Sequence, residues 1–172
     1  MKKAPRTVPS KEEKYMGLAF WMASFSKDPN TQMGSVIVNS QNRPLGWGYN
    51  GPPKSIIDTA IDWSRPHKYP YIVHAEANAI DHSNQDLTYA TLYVTGKPCA
   101  DCMLKIVTKK ISEVIYFPYK TKDKKSTFSN GDIGELSDDI AKKGSVKLTK
   151  FEGNLNWMRD RMDLMVGLCI FD

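Results

Sequence analysis

Two short segments, His74-Ala75-Glu76 and Pro98-Cys99-Ala100-Asp101-Cys102, constrain this chain more than any other feature. One imidazole and two thiolates suffice to hold a zinc ion by three protein ligands, which leaves a fourth position for water. Any fold this chain adopts must therefore bring His74, Cys99 and Cys102 to one point. Glu76 stands two residues beyond the histidine, where a proton carrier for that water is needed, so it is predicted to work as the acid–base group and not as a ligand. A closed, purely structural site would need a fourth Cys or His. The remaining candidates, His67, His82 and Cys169, lack ligand spacing, and the two histidines are expected on the surface.

The pattern along the chain supplies the elements that could do this. Residues 1–10 contain Pro5 and Pro9 and read as a loose arm. From Lys11 to about Ser26, Tyr15, Leu18, Ala19, Met22 and Ala23 recur at helical spacing, with Ser10 as N-cap, Glu13 three later, and Asp28-Pro29-Asn30 as the stop. Ser35–Val38 and Leu45–Tyr49, joined by a turn over Asn39–Pro44, read as a hairpin. The stretch from Gly51 to Pro70 is irregular and longer than a compact fold usually gives to a connector. His74–Asp81 is predicted as a helix, Ala90–Thr95 as a strand, Cys99–Lys109 as a helix and Val114–Phe117 as a strand. Glu135–Lys143 follows as a helix ended by Gly144, then Val146–Phe151 as a strand. Asn154–Leu168 closes the chain as a helix, with Leu155, Met158, Met162 and Met165 as its core face. This order implies a mixed sheet covered by helices. His74 and Cys99 then stand at helix N-termini, where the partial positive charge favours thiolate over thiol. Cys99 and Cys102 are one turn apart and share a side.

Size and charge narrow the class. The 172 residues suit one domain, taken as 11–172, and no apolar run approaches the ~20 residues that span a bilayer. The basic start, Met1 to Arg6, has no following apolar stretch and is not read as a secretory signal. Two of the three cysteines belong to the metal pair, and Cys169 is expected to be a buried free thiol. Zinc thiolates and a spare thiol suit a reducing interior, hence the cytoplasm. The net charge of +5 permits nucleic-acid binding without requiring it, because the excess is local: Lys120, Lys122, Lys124 and Lys125 crowd one polar stretch. That stretch reads as a solvated loop, or as a source of attraction for an anionic substrate.

Further segments carry a family resemblance over about residues 11–120. Ser26-Lys27-Asp28-Pro29-Asn30, Gly48-Tyr49-Asn50-Gly51 and Lys68-Tyr69-Pro70-Tyr71, with the zinc signature, resemble deoxycytidylate (dCMP) deaminases. The signature itself is shared by zinc nucleobase deaminases generally. The resemblance implies a three-layer α-β-α cytidine deaminase-like fold around a five-stranded mixed sheet. It implies hydrolysis of dCMP to dUMP and ammonia, with zinc-activated hydroxide attacking C4 and Glu76 moving protons. It also implies a homo-oligomer, commonly a hexamer. By the same resemblance Asn50 contacts the deoxyribose and Lys27 the phosphate. The carbonyl of Lys97 accepts from the cytosine amine, Ala75 packs under the ring, and Tyr119 stacks on the base. The chain departs from the family pattern at Phe25, where a second basic residue is common, and at Lys97, where a small or apolar one is common. The long, lysine-rich stretch from Tyr119 to Gly134 departs from it as well, and together these changes leave dCMP, dCTP and the nucleoside open as substrates. A base within RNA, tRNA or single-stranded DNA is the further alternative, with the lysine-rich loop as its backbone contact.

Overall fold

The computed structural model describes residues 7–118 and 131–162, without the side chains of 131–133. Helix α1 (Lys11–Ala23) starts at a capping box: Ser10 Oγ accepts from the Glu13 N–H at 3.2 Å, and the Glu13 carboxylate accepts from the Ser10 N–H at 2.9 Å. The helix stops before the predicted Ser26, and Asp28 instead shapes the loop by accepting from the Asn30 and Thr31 N–H groups at 2.8 and 3.1 Å. Its buried face includes Tyr15, Met16, Ala19 and Ala23, whereas the expected Leu18 is 40% exposed. No charged residue lies between Lys14 and Lys27, so nothing in the sequence marks which side of α1 faces water.

Strands β1 (Gly34–Val38) and β2 (Pro44–Tyr49) form the expected hairpin. With β3 (Thr91–Val94), β4 (Glu113–Tyr116) and β5 (Lys147–Lys150) they make one sheet in the order β2-β1-β3-β4-β5. The β1–β2 and β1–β3 pairs are antiparallel, and the β3–β4 and β4–β5 pairs are parallel. Parallel neighbours need crossovers, and α3 (Ala100–Thr108) and α4 (Gly131–Lys143) occupy them. Helix α4 begins four residues before the predicted Glu135 and ends where Gly144 N–H reaches the Ile140 carbonyl at 2.8 Å.

One face of the sheet packs Val36, Val38, Tyr93 and Ile115 against Tyr15, Met16 and Ala19 of α1. The other packs Ile37, Leu92, Val94 and Val114 against Ala79 and Ile80 of α2 (Ala75–Asp81), Met103 and Ile106 of α3, and Ala141 of α4. These are the three layers. Residues 156–162 are helical, and Leu155 packs on the α1 side. Met162 is 41% exposed and so does not continue a core stripe; Met165 lies outside the described residues.

The long connector after β2 carries two single 3₁₀ turns, Asp58–Ala60 and Tyr69–Tyr71. It is tied to the body by Lys68, which is 1% exposed, pairs with Asp28 and donates to Asn30 Oδ1 at 3.0 Å. An antiparallel bridge between Gly51 and Val73 closes the connector just before His74.

Candidate metal centre and active site

The two helices that matter start side by side. His74 is the N-cap of α2 and Cys99 the N-cap of α3, with Cys102 one turn further on. Helix α2 can press against β2 because the strand presents Gly46 and Gly48 to it. A Cβ on Gly46 would lie 2.6 Å from the Ala79 carbonyl oxygen, and one on Gly48 2.5 Å from that of Ala75. Ser35 Oγ, on buried β1, fixes the helix start by donating to the same Ala75 carbonyl at 2.8 Å.

His74 Nδ1 lies 3.4 Å from Cys99 Sγ and 3.4 Å from Cys102 Sγ, and the three ligand atoms are all within 4.8 Å of one another. Zinc–sulfur bonds of about 2.3 Å and zinc–nitrogen bonds of about 2.0–2.1 Å at tetrahedral angles put N and S roughly 3.5 Å apart. The observed spacing fits that ion. The Cys99 thiol is pulled down to about 4, chiefly by its hydrogen bond with Cys102 and further by His74, against burial. Cys102 is pushed up by the bond to Cys99 and by burial. His74 rises to about 9 because of its hydrogen bond to Cys99. A divalent cation displaces these protons and takes over the role they play.

Glu76 is 6% exposed, in the first turn of α2, and its carboxyl is pushed up by burial, with His74 acting in the opposite direction. A carboxyl that holds its proton more readily is suited to passing one on. His67 and His82 are both exposed, as predicted: His67 Nδ1 lies 3.4 Å from Asp62 and His82 Nδ1 2.9 Å from the Asn78 carbonyl. Among the described residues, His74, Cys99 and Cys102 form the only such metal-holding group, and Cys169 lies outside them.

The residues assigned to substrate are distributed around this centre. Asn50 is 5% exposed; its Oδ1 accepts from the Met33 N–H at 2.8 Å and its Nδ2 donates to the Thr31 carbonyl at 2.9 Å. Its backbone φ is not positive, so a left-handed turn does not account for it. Lys27 is exposed and paired with Asp58 at the rim of a cleft of about 340 Å³ that Tyr49, Gly51, Pro53 and Lys54 also line. Ala75 is fully buried. The Lys97 side chain turns to α4, where Nζ pairs with Asp138 at 2.7 Å and donates to the Gly134 carbonyl at 3.1 Å. Tyr119 and the lysine-rich stretch after it lie outside the described residues. Sequence reasoning gave no role to Ser137, whose Oγ donates to the Pro98 carbonyl at 2.8 Å in a buried position. A serine in the middle of a helix carries no signal of such a contact.

An α-β-α domain that sets one imidazole and two thiols at paired helix starts, with a buried carboxyl two residues on, has the site arrangement of the zinc-dependent deaminases. The chain belongs to the family of the cytidine and deoxycytidylate deaminase zinc-binding region, which matches residues 9–118. It is 42% identical over 118 residues to a human protein called deoxycytidylate deaminase, a match spanning 64% of this chain and 66% of that one, just under two thirds. It is 36% identical over 137 residues to an uncharacterized deaminase of Aliivibrio fischeri, covering 80% of this chain and 90% of the relative. The fold is similar to that of the dCMP deaminase of cyanophage S-TIM5 in complex with dCMP and dUMP. That likeness has a TM-score of 0.65 at 22% identity and covers 85% of this chain and all of the other.

Proposed function

We propose that the protein hydrolyses a free deoxycytidine nucleotide, dCMP, to dUMP and ammonia. The observation that carries this reading is the three-ligand cluster with Glu76 buried beside it. The names of its relatives supply the substrate. When bound by His74, Cys99 and Cys102, zinc supplies the Lewis acidity that lowers the pKa of water from 15.7 towards ~7. Glu76 takes one proton from the attacking water and delivers it to N3 of the cytosine ring; it then takes the second from the C4 hydroxyl, as that oxygen becomes the carbonyl, and passes it to the departing N4. A C4–O bond forms, the C4–N4 bond breaks, and ammonia leaves.

Ala75, fully buried at the start of α2, lies under the layer that meets the ring. Asn50 still has one Nδ2 hydrogen and one Oδ1 lone pair beyond its two backbone bonds, which suits a sugar hydroxyl. The Lys97 side chain is engaged with α4, so its contact to the exocyclic amine is through the main-chain carbonyl. Lys27 serves the phosphate, Tyr119 stacks on the base, and residues 11–172 act as one domain. No described helix is long and apolar enough to cross a membrane. The thiolate ligands accord with a reducing, cytoplasmic setting.

Self-association belongs to the same reading. Leu18, Trp21, Phe25, Trp47 and Tyr49 are 38–61% exposed, and ring contacts run from Trp21 to Phe25 and on to Tyr49. They come from two stretches without charge, Tyr15 to Ser26 and Pro44 to Pro53. A two-fold interface sets a patch against itself, so an uncharged aromatic face meets its own copy without like-charge repulsion. Sedimentation of the protein and of Phe25→Glu tests this: loss of the assembled species is the expected result, and an unchanged distribution rejects this face.

Incubating the zinc-loaded protein with dCMP, dCTP, deoxycytidine and a cytosine-bearing oligonucleotide, while following ammonia release, tests the activity. Turnover of dCMP is expected. Turnover confined to dCTP would move the substrate to the triphosphate, and turnover confined to the oligonucleotide would overturn the reading.

A further inference from the structure

We propose that α4 is a positioning element for the metal centre, and that Ser137 acts through the Pro98 carbonyl to hold Cys99 in place. The inference rests on His74, Cys99 and Cys102 being the zinc ligands.

Cys99 reaches the cluster from a short turn between β3 and α3, and as N-cap it makes no side-chain capping bond of its own. Its direction is therefore set by the backbone that precedes it. The turn is fixed at the strand end, where Thr95 N–H donates to the Gly34 carbonyl at 3.0 Å and Thr95 Oγ1 accepts from the Gly34 N–H at 3.0 Å. It is fixed next by α4. Ser137 Oγ, fully buried, donates to the Pro98 carbonyl at 2.8 Å. Lys97 Nζ reaches the Gly134 carbonyl and the Asp138 carboxylate at 3.1 and 2.7 Å. Gly134, Ser137 and Asp138 are spaced i, i+3, i+4 and occupy one side of the helix, so a single turn of α4 grips two consecutive residues of the ligand-bearing turn.

The proline makes this grip effective. Its ring locks φ, which leaves ψ of Pro98 as that residue's one soft torsion, the one next to the Cys99 amide. Rotation about ψ moves the Pro98 carbonyl and swings the Cys99 Cα–Cβ bond together. A hydrogen bond that anchors the carbonyl therefore anchors the direction of Sγ toward His74 Nδ1. Ser137 does not spend its hydroxyl on its own helix, the common local alternative for a mid-helix serine, but on another element. The Lys97–Asp138 pair is partly exposed on both sides, so it contributes less than the buried serine bond.

The test uses the zinc-loaded protein and two variants of α4. Ser137→Ala removes the hydroxyl. Ile140→Ala weakens the packing of the same helix against the core and removes no hydrogen bond to Pro98. Zinc affinity is read by chelator competition, the site geometry by the visible bands of the cobalt(II)-substituted protein, and stability by the unfolding midpoint. Ser137→Ala is expected to weaken zinc binding ~10–100-fold, as loss of a supporting bond around a metal site commonly does, and to shift the cobalt bands. Ile140→Ala is expected to lower the midpoint while leaving affinity and spectrum unchanged. Ser137→Cys, somewhat larger and a weak donor, is expected to fall between wild type and alanine. Unchanged zinc affinity in Ser137→Ala, or an equal loss in Ile140→Ala, overturns the inference and leaves the metal reading standing. A wild-type protein that binds no zinc overturns both.

Discussion

Glu76 occupies a place that no other carboxyl among the described residues shares: buried, in the first turn of α2, two residues from a ligand. A glutamine there keeps the size and the hydrogen-bonding reach but cannot carry the proton. Glu76→Gln is expected to retain zinc, by metal analysis, and to lose ~10²–10⁴-fold or more in kcat/KM, the usual worth of a positioned acid–base group. Retained activity would remove Glu76 from the reaction. Tyr93 presents the opposite situation. It is fully buried in β3, 5.3 Å from the Tyr15 ring, and its hydroxyl has no hydrogen-bond partner among the described residues. Burying an unpaired hydroxyl costs free energy, so Tyr93→Phe is expected to raise unfolding stability by roughly 1 kcal/mol in urea titrations.

At the scale of elements, the site depends on how closely α2 lies on β2. Gly48 allows that approach, because a Cβ there meets the Ala75 carbonyl oxygen and the Ala79 nitrogen, both at 2.5 Å and both backbone. Backbone cannot step aside as a flexible side chain can. Gly48→Ala is expected to cost about 1–3 kcal/mol of stability, as overpacking does, and to loosen zinc binding because the displaced helix carries His74. Chemical denaturation and chelator competition on one variant would show the two losses together. The connector before α2 relies on a different interaction. Lys68 and Asp28 form a buried ion pair that Asn30 completes, joining two of the segments that resemble the family. Lys68→Met leaves Asp28 buried without its partner and is expected to cost about 3–5 kcal/mol, with Lys68→Met/Asp28→Asn recovering part of that loss. No recovery in the double variant would mean that packing of the long lysine stem, and not charge, ties the connector down.

For the molecule as a whole, zinc joins elements that the chain keeps apart. His74 comes from the helix after the connector, and Cys99 and Cys102 from the crossover between β3 and β4. A ligand that binds only the folded state stabilises it by about 4 kcal/mol at 1,000 times its Kd. For a domain of this size that is roughly 10 °C in Tm. Stripping the metal with a chelator is expected to lower the Tm by that order, and restoring zinc to recover it. A Tm indifferent to metal would mean that the sheet and its two covering layers hold the helix starts in place unaided.

The cluster of His74, Cys99 and Cys102, the hairpin and the order of strands and helices were all legible from residue type and spacing. Those features are local: a C-x-x-C turn, a capping box and alternating apolar runs each show themselves within a few residues. The buried side of α1 was not legible, because a helix uncharged from Tyr15 to Ser26 has no polar face to orient it, and Met16 went inward where Leu18 was expected. Nor were Lys68 on Asp28, Lys97 on Asp138, or Ser137 on Pro98, each bridging about forty residues of chain. Chemistry that one segment can perform was written in the sequence. Which distant side chain steadies it was decided by packing, since only the folded sheet sets those partners face to face.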